Sequence, residues 1–292
     1  MKSRIRYLVA SSVAASLLAT GAAHASGTII WNNLGSMNPL PGTVNRVPLA
    51  IAVCPNEDLM VLAGLPGASF EEIWKQSSDG GDLPVGPAQG GFTYVGQVHG
   101  GTFDISCSGY YTGTKWVDRL WTLVYESAGS QLLQYYEPLG NTLTVPQTIG
   151  APGNAAGMFA FYDSALFPSQ PDEMWVLNND QTFWFGSGVN GGWTQQPHGP
   201  TGVDPLTLTG EMSNSWMFVV NPTAGLWWAD VFSPTSWTHV ASYVRNSTTA
   251  SDALPDQAIA LAAFPSEVGA DYLYMLTESG SQQTLYAGVF VP

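Results

Sequence analysis

Asp104, Asp204 and Asp256 each stand at the head of a short run of apolar and β-forming residues, and Trp184, Trp193, Trp228 and Trp237 stand close to turns. Both sets have residue types that could do chemistry. Carboxylates carried by different strands into a common funnel could divide the work of glycosidic cleavage, one as general acid, another as nucleophile or water-activating base. The same oxygens could hold a calcium ion. An exposed indole offers a flat apolar platform for the less polar face of a sugar, with polar neighbours to orient it. Each set also has a plainer reading. Aspartate before a strand often serves the turn, and large rings fill the gaps between packed sheets. His99, His198 and His239 have no spacing suited to a metal or a catalytic triad, and no glycine-rich phosphate loop is visible.

Composition narrows the partners. Residues 1–25 read as a secretory signal: Lys2, Arg4 and Arg6, then a small-residue apolar run, then Ala23-His24-Ala25 as a cleavage site. A mature chain from Ser26 would keep five cations, Arg46, Lys75, Lys115, Arg119 and Arg245, against 22 acids, a formal charge of −17 (5 − 22). That field disfavours nucleic acid and anionic membrane surfaces and tolerates neutral ligands such as glycans. No later stretch reaches the length of a membrane-spanning helix. The expected location is therefore the periplasm or the exterior. Cys54 and Cys107, the two cysteines of the chain, then read as one disulfide.

The elements that must position these residues are short strands. Charged residues are 10% of the chain and aromatic ones 12%, with 32 glycines, which argues against long helices and for an all-β domain over residues 26–292. A loose repeat supports this. Asp58, Asp118, Asp172, Asn214 and Asp271 each open an Asp/Asn-x-apolar-apolar-x-apolar run, the first one residue short, at spacings of 60, 54, 42 and 57 residues. Phe92-Thr93, Leu143-Thr144, Trp193-Thr194 and Trp237-Thr238 follow the first four of these runs. The fifth has no such partner downstream, and Trp31, near the start, is its displaced counterpart. The expectation is an all-β, five-bladed β-propeller of four-stranded antiparallel blades, closed by the N-terminal strand. Its blades would cover about 47–98, 103–148, 157–196, 206–243, and 258–291 with 28–33. Innermost strands would be Leu49–Cys54, Phe103–Ser108, Met158–Tyr162, Pro205–Thr209 and Ile259–Phe264, which places Cys54 beside Cys107. A β-sandwich and a six-bladed ring are the alternatives.

Two turns, Ser77-Ser78-Asp79-Gly80-Gly81 and Ser187 to Trp193, resemble, in degenerate form, the Asp-box turn of sialidase-type and related propellers. Pro84 stands where the aromatic belongs in the first, and Val189 where the aspartate belongs in the second. The chain also resembles small propeller lectins in size and aromatic content, and five-bladed glycosidase-type propellers in its inner-strand acids. It lacks the arginines that fucose-binding propellers place in each blade. These resemblances imply a carbohydrate-binding, lectin-like module on aromatic platforms at Trp184, Trp193, Trp228 and Trp237. The alternatives are a glycoside hydrolase or lyase using Asp104, Asp204 and Asp256, and a non-enzymatic envelope scaffold. The expected partner is a glycan or other neutral extracellular ligand, with no cofactor beyond a calcium ion that the acids could hold.

Overall fold

The computed structural model describes residues 27–292 except 56–57, 78–90, 112–113, 115, 128–129, 137, 140–141, 144–146, 162–172, 188–190, 197–198, 201–206, 212–215, 222–224, 233, 245–256 and 265–270. Among the described residues the chain is all-β. The first strand, β1 (Thr28–Ser36), is followed by β2 (Val47–Val53), β3 (Leu59–Gly64), β4 (Phe70–Gln76) and β5 (Thr93–His99), which pair in that order as an antiparallel sheet. A second sheet holds β6 (Thr102–Tyr111), β7 (Trp116–Ser127), β8 (Ser130–Tyr136) and β11 (Gln147–Gly150), with a small hairpin, β9 (Pro138–Leu139) and β10 (Thr142–Leu143), inserted before β11. A third runs β12 (Ala155–Phe161), β13 (Glu173–Asn178), β14 (Phe183–Ser187) and β15 (Gly191–Gln196).

The remaining strands form one eight-stranded sheet. It joins β16 (Thr207–Glu211), β17 (Trp216–Asn221), β18 (Gly225–Asp230) and β19 (Thr238–Val244) to β20 (Gln257–Phe264), β21 (Asp271–Ser279) and β22 (Gln282–Val291). β1 is the bridge. It lies antiparallel to β22, with Trp31 opposite Gly288, and parallel to β19, with Trp31 opposite Val244. The first described strand thus hydrogen-bonds beside the last, as the displaced Trp31 suggested. The parallel join to β19 was not expected, and it uses Thr28 to Trp31 alone.

The core explains why the strands read as apolar on both faces. Along β12, Phe159 and Phe161 enter one buried cluster while Met158 and Ala160 enter another; along β13, Trp175 and Leu177 part from Met174 and Val176 in the same way. β17 divides Met217 and Val219 from Phe218 and Val220, and β21 divides Leu273 and Met275 from Tyr274 and Leu276. Alternating side chains point to opposite faces, so these sheets are buried on both faces and the core is a series of wedges between successive sheets.

The first strand of each four-strand unit lies beside two others. β2 packs against β6 and β20, β12 against β6 and β16, and β16 against β20. These contacts make a closed circuit. Small residues permit the approach: a Cβ on Gly157 would stand 2.7 Å from the backbone nitrogen of Leu208. The expected inner strands coincide with β2, β6, β12, β16 and β20 to within a few residues. One expected edge differs. Leu143, expected with Thr144 on the outer strand of the second sheet, lies instead on β10, because β11 takes that place, and Thr144 lies outside the described residues. Leu143 instead sits over Gly96 of β5, where an added Cβ would meet its side chain at 3.0 Å.

Candidate functional site

Three polar side chains of the inner strands, Asp104, Ser106 and Thr209, are held by neighbouring backbone. Asp104, on β6, is 5% exposed. Its Oδ1 accepts from the Ile105 N–H and its Oδ2 from the Met158 N–H of β12, both at 3.0 Å. Burial pushes its carboxyl up to about 8, against which the two N–H bonds act to lower it. Two residues along, Ser106 Oγ accepts from the Ala160 N–H at 3.0 Å, and Thr209 Oγ1 of β16 accepts from the Ala263 N–H of β20 at 3.1 Å. Cys54 and Cys107 join the end of β2 to β6 in a disulfide with Cα atoms 4.9 Å apart. Asp104 therefore ties two sheets together and presents almost no surface to a substrate. Asp204 and Asp256 lie outside the described residues. No group of three or more His, Cys, Asp or Glu side chains suited to a metal ion occurs among the described residues.

A second set of ties went unseen in the sequence. Gln131, second residue of β8, accepts from the Ala155 N–H and donates from Nε2 to the Ala155 carbonyl at 3.2 Å, at the head of β12. Gln283, second residue of β22, donates from Nε2 to the Pro48 carbonyl at 3.1 Å, at the head of β2. Glu71, second residue of β4, accepts from the Gly101 N–H at 3.2 Å, just before β6. The same position in three units holds the entry to the next inner strand. The spacing signal was present, but Glu and Gln at equivalent places share no obvious pattern until the hairpins are aligned.

The four proposed platform tryptophans are all half-buried. Trp184 and Trp193 pack in the wedge between the second and third sheets, with Nε1 donating to Thr182 Oγ1 at 3.3 Å and to the Gly150 carbonyl at 3.1 Å. Trp228 lies against Trp216 and Phe290, at 6.0 and 5.5 Å between ring centres. Trp237 lies 5.4 Å from Phe183. The structure separates these rings into three wedges and does not gather them at one site. Trp227 and Trp228 turn to opposite faces, Trp227 meeting the His239 ring at 4.9 Å. Of the Asp-box-like turns, residues 78–81 and 188–190 lie outside the described residues, as does His198; Ser187 ends β14 and Gly191 to Trp193 open β15, with Ser187 opposite Gly191.

A polar and aromatic constellation lies on the last two strands of the first sheet, β4 and β5. Glu72 is buried on β4. Arg46, from the segment leading into β2, grips it with a fork, Nε to Oε2 at 2.6 Å and Nη2 to Oε1 at 2.9 Å. Trp74 Nε1 also donates to Glu72 Oε2, at 3.0 Å. The Trp74 ring meets Tyr94 of β5 edge-on at 5.4 Å. Tyr94 is 41% exposed. Burial raises its hydroxyl pKa, helped by the Glu72 charge and opposed by Arg46, while the bond to Glu72 holds the Arg46 guanidinium charged. Arg46 and Glu72 are 26 residues apart in the chain, so nothing in the sequence pairs them.

No protein-family model and no curated protein matches the chain. Two solved structures are similar in outline. One is a structural genomics protein of unknown function from Bacteroides thetaiotaomicron, at 12% identity and a TM-score of 0.43, over 90% of this chain and 76% of that one. The other is BBS1N in complex with ARL6DN, at 10% identity and a TM-score of 0.39, over 85% of this chain and 80% of that one. Likeness of that order assigns neither a family nor an activity to this chain.

Proposed function

We propose that the chain is an exported five-bladed propeller, sealed by its first strand, that binds neutral glycans without turning them over. The closed circuit of β2, β6, β12, β16 and β20 supports the five-bladed reading. The observation that carries binding over catalysis is the commitment of Asp104. A carboxyl whose two oxygens both hold backbone N–H groups, and which is shut from solvent, is placed for architecture and not for proton transfer to a sugar. The acidic charge of the mature chain favours uncharged ligands. Export would supply the oxidising compartment in which the Cys54–Cys107 bridge persists.

A glycan array run beside a polysaccharide-hydrolysis assay tests this reading. Retention of neutral oligosaccharides with no new reducing ends is the expected result. New reducing ends would make the chain a glycoside hydrolase. An empty array would leave the envelope scaffold, a second reading favoured by the burial of Trp228 and Trp237 against core aromatics.

A further inference from the structure

We propose that the rim of the first sheet, formed by Arg46, Glu72, Trp74, Tyr94 and Gln97, is the saccharide site, recognising a vicinal diol of a neutral pyranose. The proposal rests on the glycan-binding reading above and gives it a location.

The geometry follows from register. Glu72 and Trp74 alternate along β4 to one face, and their partners across the ladder to β5 are Gln97 and Tyr94; the register shifts by one residue at Val95, and this bulge lets Tyr94 and Gln97, three residues apart, both stand opposite them. Residues directly opposite share a face, so the four side chains stand together. β5 is the end strand of its sheet, and both Tyr94 and Gln97 are exposed on it. An exposed ring beside an exposed amide on an end strand is the combination a sugar needs: an apolar face to stack on and a group that both donates and accepts.

Arg46 supplies the rest. A guanidinium carries five N–H groups. Glu72 engages two of them, and Nη1 donates to the Val44 carbonyl at 3.2 Å. The side chain keeps 23% of its surface open. The planar fork is thus fixed before any ligand arrives, which lowers the ordering cost of binding. Because Glu72 balances its charge, the fork presents directed donors without net attraction for an anion. A neutral diol fits such a group better than a uronate, which would also meet the overall negative charge of the molecule. Glu72 and Trp74 act as positioning residues, one for the guanidinium and the other for the Tyr94 ring.

The test is calorimetric titration of the whole mature chain with neutral tetrasaccharides of glucose, mannose, xylose, galactose and N-acetylglucosamine, and with tetragalacturonate. At least one neutral tetrasaccharide should bind. Tyr94→Ala should weaken it by about tenfold or more, the loss of one stacking platform, and Tyr94→Phe should stay within about threefold of wild type because the ring remains. Gln97→Ala, at an exposed position where misfolding is not a concern, should also weaken binding. Tyr125→Ala, removing a 50% exposed ring on a different sheet, should change nothing. Binding that is indifferent to both Tyr94→Ala and Gln97→Ala overturns this site and leaves the glycan reading standing. No binding by wild type overturns both. Tighter binding of tetragalacturonate than of every neutral probe overturns the assigned ligand class.

Discussion

Asp104 carries its proton in the folded chain at a pH where an exposed aspartate has lost it. The consequence has a definite sign. With the folded carboxyl near 8 and the ordinary value at 3.8, the folded state binds the extra proton between those values. The stability that Asp104 contributes is therefore complete below about pH 4 and is lost progressively as the pH rises toward 8. Asp104→Asn removes this dependence and leaves one of the two N–H groups without an acceptor, a cost of about 1–3 kcal/mol. Denaturant unfolding across that range should show the wild type's advantage over Asp104→Asn shrinking as the pH is raised. An advantage that stays constant, or grows, would contradict the buried neutral carboxyl. Gly157 is a steric case. Gly157→Ala would push a methyl group into the Thr207-Leu208 backbone, which cannot retreat as a flexible side chain could. A loss of about 1–3 kcal/mol or more is expected in the same assay.

Strands and the links between them explain how the sheets stay in order. Gln131 and Gln283 do equivalent work in the second sheet and at the chain's end, each pinning the head of the next inner strand. Gln131→Ala and Gln283→Ala should each cost about 1–3 kcal/mol, because each strands buried backbone groups, and their effects should add, since the residues share no partner. The strands themselves were legible in sequence, since runs of Val, Leu, Ala and aromatic residues between turn residues require little tertiary information. The outer strand of the second sheet was misplaced at Leu143-Thr144 because the β9–β10 hairpin interrupts the unit, and an insertion carries no periodic signal of its own. The ties were illegible for a different reason. Asp104 pairs with backbone 54 residues away, and a backbone partner leaves no mark in the amino-acid types.

Across the whole molecule, the wedge-like core and the pairing of the first described strand with the last are two aspects of one arrangement. Sheets buried on both faces need neighbours on both sides, and a row of such sheets has no unmet face only if it closes. The sequence signalled closure through one displaced residue, Trp31. A candidate site was much less legible, since a platform is defined by what an aromatic ring leaves open, and Trp184, Trp193, Trp228 and Trp237 are each half-buried in a wedge. The Cys54–Cys107 bridge crosses one junction of the circuit, and its removal by Cys54→Ala with Cys107→Ala should lower stability by about 2–4 kcal/mol, read as a shift in the unfolding midpoint. Closure by the first strand is the claim on which the rest depends, and a cross-link measures it directly. Ile30 lies opposite Val289 in the β1–β22 ladder, within the reach of a disulfide. Ile30→Cys with Val289→Cys, oxidised in dilute solution and digested, should yield one new intramolecular cross-linked peptide pair in near-complete amount, beside the native Cys54–Cys107 pair. Free thiols at both positions in a folded chain, or cross-links only between chains, would contradict it.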